Sequence, residues 1–156
     1  REPISYRIAA GLLTGAQSQE LIENSHLKSI DYYEVSARRF EAESPAEESG
    51  NVSIDLAVRS DESEFGVRLT GTADFPLGQA TVSVAGEYEA EDGFVVDERT
   101  VRHFANEVGA MTVLPYLREG VATITAKVFG SPVHLPIIPR GEVTIDLEDP
   151  DSRESD

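Results

Sequence analysis

The hydrophobic period of this chain changes from two to 3.6 in its middle, and that change limits what the chain can fold into. From about Leu27 to Tyr88, apolar and polar residues alternate with a period of two, which is typical of half-buried strands. After Asp92-Gly93 the period becomes 3.6, which is typical of an amphipathic helix. Strands followed by a helical region predict an α+β domain, in which a helix covers one face of an antiparallel sheet.

Four segments carry the alternation, and short polar turns follow the second and the third. Strands of this kind predict a four-stranded antiparallel meander with one apolar and one polar face. Phe40 is out of register with its own segment, which predicts a bulge near Arg38–Arg39. The alternating apolar residues of the four segments are Tyr33, Val35 and Ala37; Val52, Ile54, Leu56 and Val58; Phe65, Val67 and Leu69; and Ala80, Val82, Val84 and Tyr88.

The helical region is predicted to contain two helices. Asp97 is a residue type that caps helix N-termini, and Gly109 is expected to break the first helix. The second helix, from about Val113, carries an apolar stripe over four turns, and Gly130 is expected to end it. Pro115 is expected in its first turn, where a missing N–H is tolerated.

Three regions are expected along the chain. Residues 1–26 are predicted as an N-terminal helical extension, because apolar residues recur there at imperfect helical spacing. Residues 27–147 form the α+β domain, and alternation at Val133, Leu135 and Ile137 predicts a further strand in it. Residues 148–156 are too polar to be buried and are expected to be a disordered acidic tail.

The charge of the chain excludes some classes of partner. Thirteen basic and 29 acidic residues give a formal net charge of −16, so nucleic-acid phosphates and anionic lipid surfaces should repel the protein. No apolar run approaches the roughly 20 residues of a membrane span, so membrane insertion is not expected. The chain has no cysteine, which excludes thiol catalysis and disulfides and agrees with a cytoplasmic location.

Motifs for catalysis are missing from the sequence. There is no Gly-x-Ser-x-Gly elbow and no Gly-rich phosphate loop, and the three histidines are far apart in the sequence. We therefore expect no metal, no cofactor and no enzymatic activity. One alternative remains open, since a long helix across an antiparallel sheet also describes hot-dog acyl-thioester enzymes, for which Asp97 or Glu107 could serve, and proteins that bind small apolar ligands.

One block of sequence resembles a known family. Residues 104–139 contain Pro115-Tyr116-Leu117-Arg118-Glu119 at the start of the long helix, then Pro132 and the apolar stretch from Leu135 to Pro139. This block is similar to the SecB family of bacterial protein-export chaperones, in which a Pro-Tyr-x-Arg-Glu segment opens the long helix. The order of predicted elements agrees with that family over residues 27–145.

The resemblance implies a SecB-like fold and a binding function. Members of the family are homotetramers, assembled as dimers of dimers, in which the long helices lie between two outer sheets. They bind unfolded preproteins or other unfolded chains in apolar grooves without ATP, and the translocation ATPase SecA meets the charged sheet surface of the export members. The acidic tail and the N-terminal extension look more like the SecB-like chaperones of actinobacteria and of toxin–antitoxin modules, whose client is an unstable antitoxin.

Two sets of candidate site residues follow from the resemblance. The first set consists of apolar residues at strand ends and along the seam between helix and sheet, which would line a client-binding groove: Tyr32, Tyr33, Phe40, Val67, Leu69, Phe129, Leu135 and Ile137. The second set lies in the motif of the long helix and would form an interface between subunits: Leu114, Tyr116, Arg118 and Glu119.

Overall fold

The structure, a computed structural model, describes residues 7–8, 15–41, 50–94 and 96–136. The candidate Ile137 and the predicted tail 148–156 lie outside the described residues. A π-helical segment, Ala105–Gly109, separates the last two helices. The strands and helices in chain order are β1 (Arg7–Ile8), α1 (Gly15–Glu23), β2 (Ser25–Arg39), β3 (Asn51–Asp61), β4 (Glu64–Phe75), β5 (Gly78–Ala90), α2 (Glu98–Phe104) and α3 (Ala110–Phe129).

The strands form one antiparallel sheet in the order β1-β3-β4-β5-β2. The long helix α3 packs across β5, β4 and β2, and we call the face that it covers the inner face and the opposite one the outer face. Two-residue turns, Glu62-Ser63 and Pro76-Leu77, join β3, β4 and β5 as a meander. The predicted fold class, an α+β domain with a long amphipathic helix on an antiparallel sheet, is confirmed.

The position of β2 differs from the predicted four-stranded meander. β2 does not pair with β3, but lies at the far end of the sheet and pairs with β5 from Ser25↔Ala90 to Arg39↔Gly78. Residues 40–50 separate β2 from β3, a longer connection than the about two to five residues of a usual hairpin loop. Alternation specifies which face of a strand is buried but not which strand is its neighbour.

The bulges of β2 also differ from the prediction. The register with β5 shifts between Leu27 and Ser29 and again between Tyr32 and Glu34, and not at Arg38–Arg39. The second bulge places Tyr32 on the inner face and Tyr33 on the outer face, with Glu34 next to it opposite Ser83. Two aromatic residues that are adjacent in sequence therefore lie in different environments.

The N-terminal region contains a strand as well as a helix. The two residues of β1 pair with Val58 and Ala57 of β3, where the sequence predicts a helical extension. α1 packs against α2, and its Leu21 is fully buried in the main core. β2 begins at Ser25, directly after α1, so the described part of this region belongs to the same packed unit as the sheet.

The helical region is continuous, in contrast to the predicted break at Gly109. Asp97 caps it as predicted, because its carboxylate accepts a hydrogen bond of 2.8 Å from the backbone N–H of Thr100. Gly109 is the last residue of the π-helical segment, and the backbone on both sides of that segment stays helical. Pro115 therefore lies inside α3 and not in a first turn. Gly130 ends α3 in the left-handed region with φ 87°, as predicted.

Glycine is required at position 109 because the helical region lies very close to the sheet there. A Cβ atom at this position would lie 2.7 Å from Cγ2 of Val67, which is fully buried on β4. Directly above the same strand, the rings of Phe65, Tyr88 and Phe104 pack with centroids 5.0–5.1 Å apart. Glycine is needed here because the backbone lies against a packed core, and not because a helix must stop.

The outer face is covered by its own polar side chains. Glu87 is buried on this face and accepts hydrogen bonds of 3.0 Å from the Tyr33 hydroxyl and from Nε of Arg59. The guanidinium of Arg68 lies 4.8 Å from the centre of the Tyr33 ring and also donates to the Ser83 hydroxyl. In the part of the chain that the structure describes, this layer shields the middle of β5 from solvent.

Residues 132–136 follow α3 without forming the predicted strand. Two side chains of α3 hold this segment instead. The hydroxyl of Thr125 accepts a hydrogen bond of 2.8 Å from the N–H of Val133, and Arg118 donates to the Pro136 carbonyl at 3.2 Å. Leu135 is buried in the main core, so the segment turns back and lies along α3.

Gly109→Ala should destabilise the protein. Alanine favours a helix by about 1 kcal/mol relative to glycine, but overpacking a close contact costs about 1–3 kcal/mol, and Val67 has no room to move. We expect a net loss in the free energy of unfolding, measured by urea denaturation. In a Val67→Ala background the same substitution should cost less or should stabilise. An equal cost in both backgrounds would contradict this explanation of Gly109.

Candidate functional site

The outermost long strand of the sheet carries most of the exposed large apolar side chains of the described residues. β2 is 15 residues long and pairs with β5 along one edge, while its other edge has no strand neighbour in the described residues. Seven large apolar side chains are exposed in the described part of the chain, and five of them lie on β2 or directly after it. These five are Leu27, Tyr32, Tyr33, Val35 and Phe40. A long apolar edge of this kind readily pairs with another strand.

An open groove lies between β2 and α3. Its volume is about 260 Å³, and its walls come from both elements. Gly120 allows the two elements to meet, since a Cβ atom there would lie 2.9 Å from Val82 and 3.3 Å from the Tyr32 ring. The groove is lined by Tyr32, Val35, Glu119, Gly120, Thr123, Ile124 and Lys127.

Tyr32 forms one wall of this groove and is tied to the helix. Its hydroxyl donates a hydrogen bond of 3.1 Å to the carbonyl of Tyr116 and lies 3.5 Å from Oε2 of Glu119. Partial burial raises the pKa of the Tyr32 phenol, and the negative charge of Glu119 and the hydrogen bond to it raise this pKa further. The neutral phenol is therefore the form that holds the edge of the sheet to the helix.

A second hydrophobic cluster, buried at its centre and partly buried around it, lies at the end of the sheet where α3 ends. We call it the distal cluster, and its buried centre consists of Ala73, Ala80 and Phe129, with partly buried residues packed around them: Ala37, Val52, Phe75, Leu77, Ile124, Val128 and Val133. The rings of Phe75 and Phe129 meet edge to face, 6.3 Å apart. Phe40 lies beside this cluster because its N–H donates to the Leu77 carbonyl at 2.8 Å, and its ring is 43% exposed.

The predicted groove residues lie in several environments. Tyr32 lines the open groove, Tyr33 lies on the outer face with Glu87, and Phe40 is exposed beside the distal cluster. Phe129 is at the centre of the distal cluster. In this chain the remaining described candidates are part of the main core, namely Val67, Leu69 and Leu135.

The predicted interface residues point in different directions. Leu114 is buried in the core, whereas Tyr116 is 42% exposed on the opposite side of α3. Arg118 holds the segment after the helix through the Pro136 carbonyl. Glu119 is exposed, lines the groove and accepts a hydrogen bond of 2.8 Å from the Thr123 hydroxyl. Tyr116 therefore has the most surface available for a contact between subunits.

Sequence reasoning missed part of the groove. Val35, Gly120 and Lys127 line it but were not candidates. No local signal could have identified them, because the groove exists only where β2 lies next to α3, and this neighbourhood follows from the strand order.

The two carboxylates considered for catalysis, Asp97 and Glu107, both lie in the helical region. Asp97 caps α2, and the hydrogen bonds from Thr100 hold the pKa of its carboxyl below the ordinary value. Glu107 lies in the π-helical segment. Within the described ranges there is no group of three or more histidine, cysteine or acidic residues that could hold a metal ion. No helix in the described part of the chain has the length and hydropathy needed to cross a bilayer.

Glu119→Gln should lower the pKa of Tyr32, because it removes the negative charge that disfavours the phenolate. The titration is followed by the ultraviolet absorbance of phenolate, and a Tyr32→Phe variant identifies the signal of Tyr32 among the five tyrosines. Asp92→Asn, which removes a charge in the loop after β5, should leave the Tyr32 midpoint in place. An unchanged midpoint in Glu119→Gln would show that Tyr32 and Glu119 are not neighbours in solution.

Comparison with known proteins finds SecB-like chaperones. No family profile matches the chain. The SecB-like chaperone SmegB of Mycolicibacterium smegmatis is 31% identical to it over 144 residues, which cover 92% of this chain and 95% of the relative. Among solved structures, the SecB-like chaperone of Mycobacterium tuberculosis, in complex with a ChAD peptide from the HigA1 antitoxin, superposes with a TM-score of 0.70.

The structural match supports the fold, and the sequence match supports the family. The solved structure is 21% identical, and the superposition covers 80% of this chain and 98% of that chain. SmegB is similar over nearly the whole of both chains, well beyond the block around Pro115. The resemblance noted in the sequence is confirmed, and the chain belongs to the SecB-like chaperone family.

Proposed function

We propose that this protein is a holding chaperone that binds unfolded or partly folded polypeptides without ATP. We assign client binding to the distal cluster, with Phe40 at its margin and Phe129 at its centre. The observation that carries this assignment is a group of aromatic and aliphatic side chains that is packed but incompletely buried, at the end of the sheet. We place this holding function in the cytoplasm, because a chain without cysteine agrees with a reducing compartment.

The distal cluster suits an unfolded client for physical reasons. Apolar burial contributes about 25 cal/mol per Å² whatever the client sequence, so such a surface binds many clients weakly. The segment 132–136 lies along α3 beside this cluster, and it is an example of how an extended chain can be held. Its backbone is bound through the side chains of Thr125 and Arg118, without a strand partner. A client segment could be held in the same manner, by side chains that recognise backbone groups.

For the client class, we propose an unstable antitoxin. The support is the solved relative from Mycobacterium tuberculosis, which is in complex with a peptide from an antitoxin. The other class that the resemblance implies is an exported preprotein, with SecA as a second partner. Binding of the purified protein to an antitoxin and to SecA, measured in parallel by calorimetry, separates the two. Binding to SecA alone would contradict the antitoxin assignment.

Phe40→Ser should weaken client binding, because it removes exposed apolar surface beside the distal cluster. Fully burying such a side chain contributes about 1.5–3 kcal/mol, so a partial contact should weaken the arrest of a slow-folding client by about fivefold. The measurement is refolding of the client without ATP at increasing chaperone concentration. Ile22→Ser on α1, which removes a similarly exposed apolar side chain, is the matched control and should behave like the wild type.

Two outcomes of this assay would contradict the proposal. If the wild-type protein leaves client refolding unchanged, the holding function is wrong. If Phe40→Ser and Ile22→Ser have the same effect, the function stands, but the distal cluster is not its site.

We also propose that the protein is a homotetramer, assembled as a dimer of dimers. The support is the family resemblance together with exposed apolar side chains on two elements, along the open edge of β2 and at Tyr116 on α3. A dimer of dimers needs two different interfaces, and we assign one to the β2 edge and one to Tyr116 on α3.

Light scattering should give a mass about four times the 17.0 kDa of the chain. Tyr116→Asp should reduce the assembly to dimers, because it places a charge in the interface that we assign to α3. Ile22→Asp introduces the same charge elsewhere and should leave the tetramer intact. A mass of one chain at micromolar concentration would contradict the tetramer.

A further inference from the structure

The distal cluster lies at the less acidic end of the sheet. The described charged residues around it are three cations and two carboxylates, although the whole chain has a formal net charge of −16. The cations are Arg38, Arg39 and Lys127, and the carboxylates are Glu41 and Asp74. At the other end of the sheet, six carboxylates accompany Lys28 and His26, namely Asp61, Glu62, Glu64, Glu89, Glu91 and Asp92. The end that we assign to client binding is therefore the less negative one.

Arg39 lies beside the aromatic residues of the distal cluster. It pairs with Gly78 of β5, and a Cβ atom on Gly78 would lie 2.6 Å from Cε1 of Phe129. Ala37, two residues earlier on β2, packs in the cluster, so alternation places Arg39 on the same inner face. Arg39 is exposed there, and the exposed Phe40 follows it in the chain. Arg39 therefore brings a positive charge to the apolar surface that we assign to clients.

Lys127 brings a second positive charge from the helix. It lies in the last turn of α3, two residues before Phe129, and lines the groove between the helix and β2. A cation in the last turn stabilises a helix through the helix dipole, and this role leaves the side chain of Lys127 exposed. Lys127 and Arg39 therefore approach the end of α3 from two sides, one from the helix and one from the sheet.

The cations at the distal cluster have no carboxylate partner in the part of the chain that the structure describes. No described carboxylate oxygen lies within 4.0 Å of the charged nitrogens of Arg38, Arg39 or Lys127. Other basic side chains do form such ion pairs, and these are Lys28 with Glu64, Arg59 with Glu87, and Arg102 with Glu98. The charges at the distal cluster are therefore available to a bound client.

We propose that the distal cluster prefers client segments in which Asp or Glu flanks an aromatic or aliphatic residue. The apolar side chain of the client packs beside Phe40 and Phe129, and the flanking carboxylate meets Arg39 or Lys127. This inference names the client segment of the proposed holding function and rests on that function. Charge-assisted hydrogen bonds are stronger than neutral ones, so acidic residues add selectivity to a surface whose apolar contacts discriminate little between sequences.

At the distal cluster, the local charge outweighs the net charge of the chain. β4 has 12 residues and spans about 40 Å at roughly 3.4 Å per residue, whereas the Debye length is about 8 Å at physiological ionic strength. The carboxylates at the other end of the sheet are therefore screened from a client bound here. The net charge of −16 alone would favour the opposite class of client, a basic one. Local charge and net charge thus predict preferences of opposite sign.

Three labelled peptides measure the preference. Each contains the same phenylalanine and leucine residues, flanked by aspartate, by serine or by lysine, and binding to the full chain is followed by the anisotropy of a common fluorescent label. The aspartate peptide should bind about tenfold more tightly than the serine peptide, from two surface ion pairs of about threefold each, and the lysine peptide should bind most weakly. Raising the salt concentration from about 0.1 to 1 M shortens the Debye length from about 10 to 3 Å and should remove most of the preference.

Charge variants assign the preference to the two cations. Arg39→Gln and Lys127→Gln should each reduce the ratio of the serine-peptide to the aspartate-peptide dissociation constant by about threefold, and Arg39→Lys should retain the ratio. Arg99→Gln, which removes an exposed positive charge on α2, is the matched control and should leave the ratio unchanged. Circular dichroism and light scattering check that each variant is folded and assembled like the wild type.

The outcomes separate this inference from the proposed function. Equal binding of the three peptides, or tightest binding of the lysine peptide, would overturn the inference and leave the holding function standing. A preference for aspartate that persists in a variant carrying both Arg39→Gln and Lys127→Gln would also overturn it, because the acidic contact would then lie elsewhere. Binding of none of the peptides would overturn the inference together with the client site, and the refolding assay then decides whether the holding function stands.

Discussion

Among the described residues β2 has a strand partner along one edge only, and the surfaces that this protein offers to others depend on that fact. The strand extends the sheet beyond β4 and β5, so α3 has three strands beneath it, and a groove opens where the helix meets the last of them. If β2 followed the simple meander and paired with β3, the same alternating sequence would leave β5 at the edge next to the helix. The groove, the open edge and the exposed apolar residues would then lie elsewhere.

The close contact between helix and sheet depends on glycine at two points of the helical region. Gly109 lies against Val67, and Gly120 lies against Val82 and the Tyr32 ring. Larger residues there would lift the helix from the sheet and remove the hydrogen bond between Tyr32 and the Tyr116 carbonyl. This packing matters for both stability and function, because the contacts that bury the core also place Tyr32 at the open edge.

Local signals in the sequence predicted local structure well. The change of period, the cap at Asp97 and the end of the helix at Gly130 depend on neighbouring residues, and all three are confirmed. Gly109 was misread because a glycine in a helix has the same sequence signature whether it breaks the helix or allows close packing. The place of β2 and its bulges depends on pairing between distant segments, which alternation does not encode. Val67 and Leu69 were predicted as groove residues because a core side chain and a groove-lining side chain give the same alternating pattern in the sequence.

Hydrogen exchange, with and without an unfolded client, tests the central claim that client binding and assembly use different surfaces. Amides of β2 should be protected in the assembled protein before client is added, because the tetramer that we propose uses that edge as an interface. Addition of client should then increase protection around Phe40, in the turn Pro76-Leu77 and at the end of α3, and should leave the part of β2 before Ala37 unchanged. New protection confined to β2, with none at the distal cluster, would contradict the account.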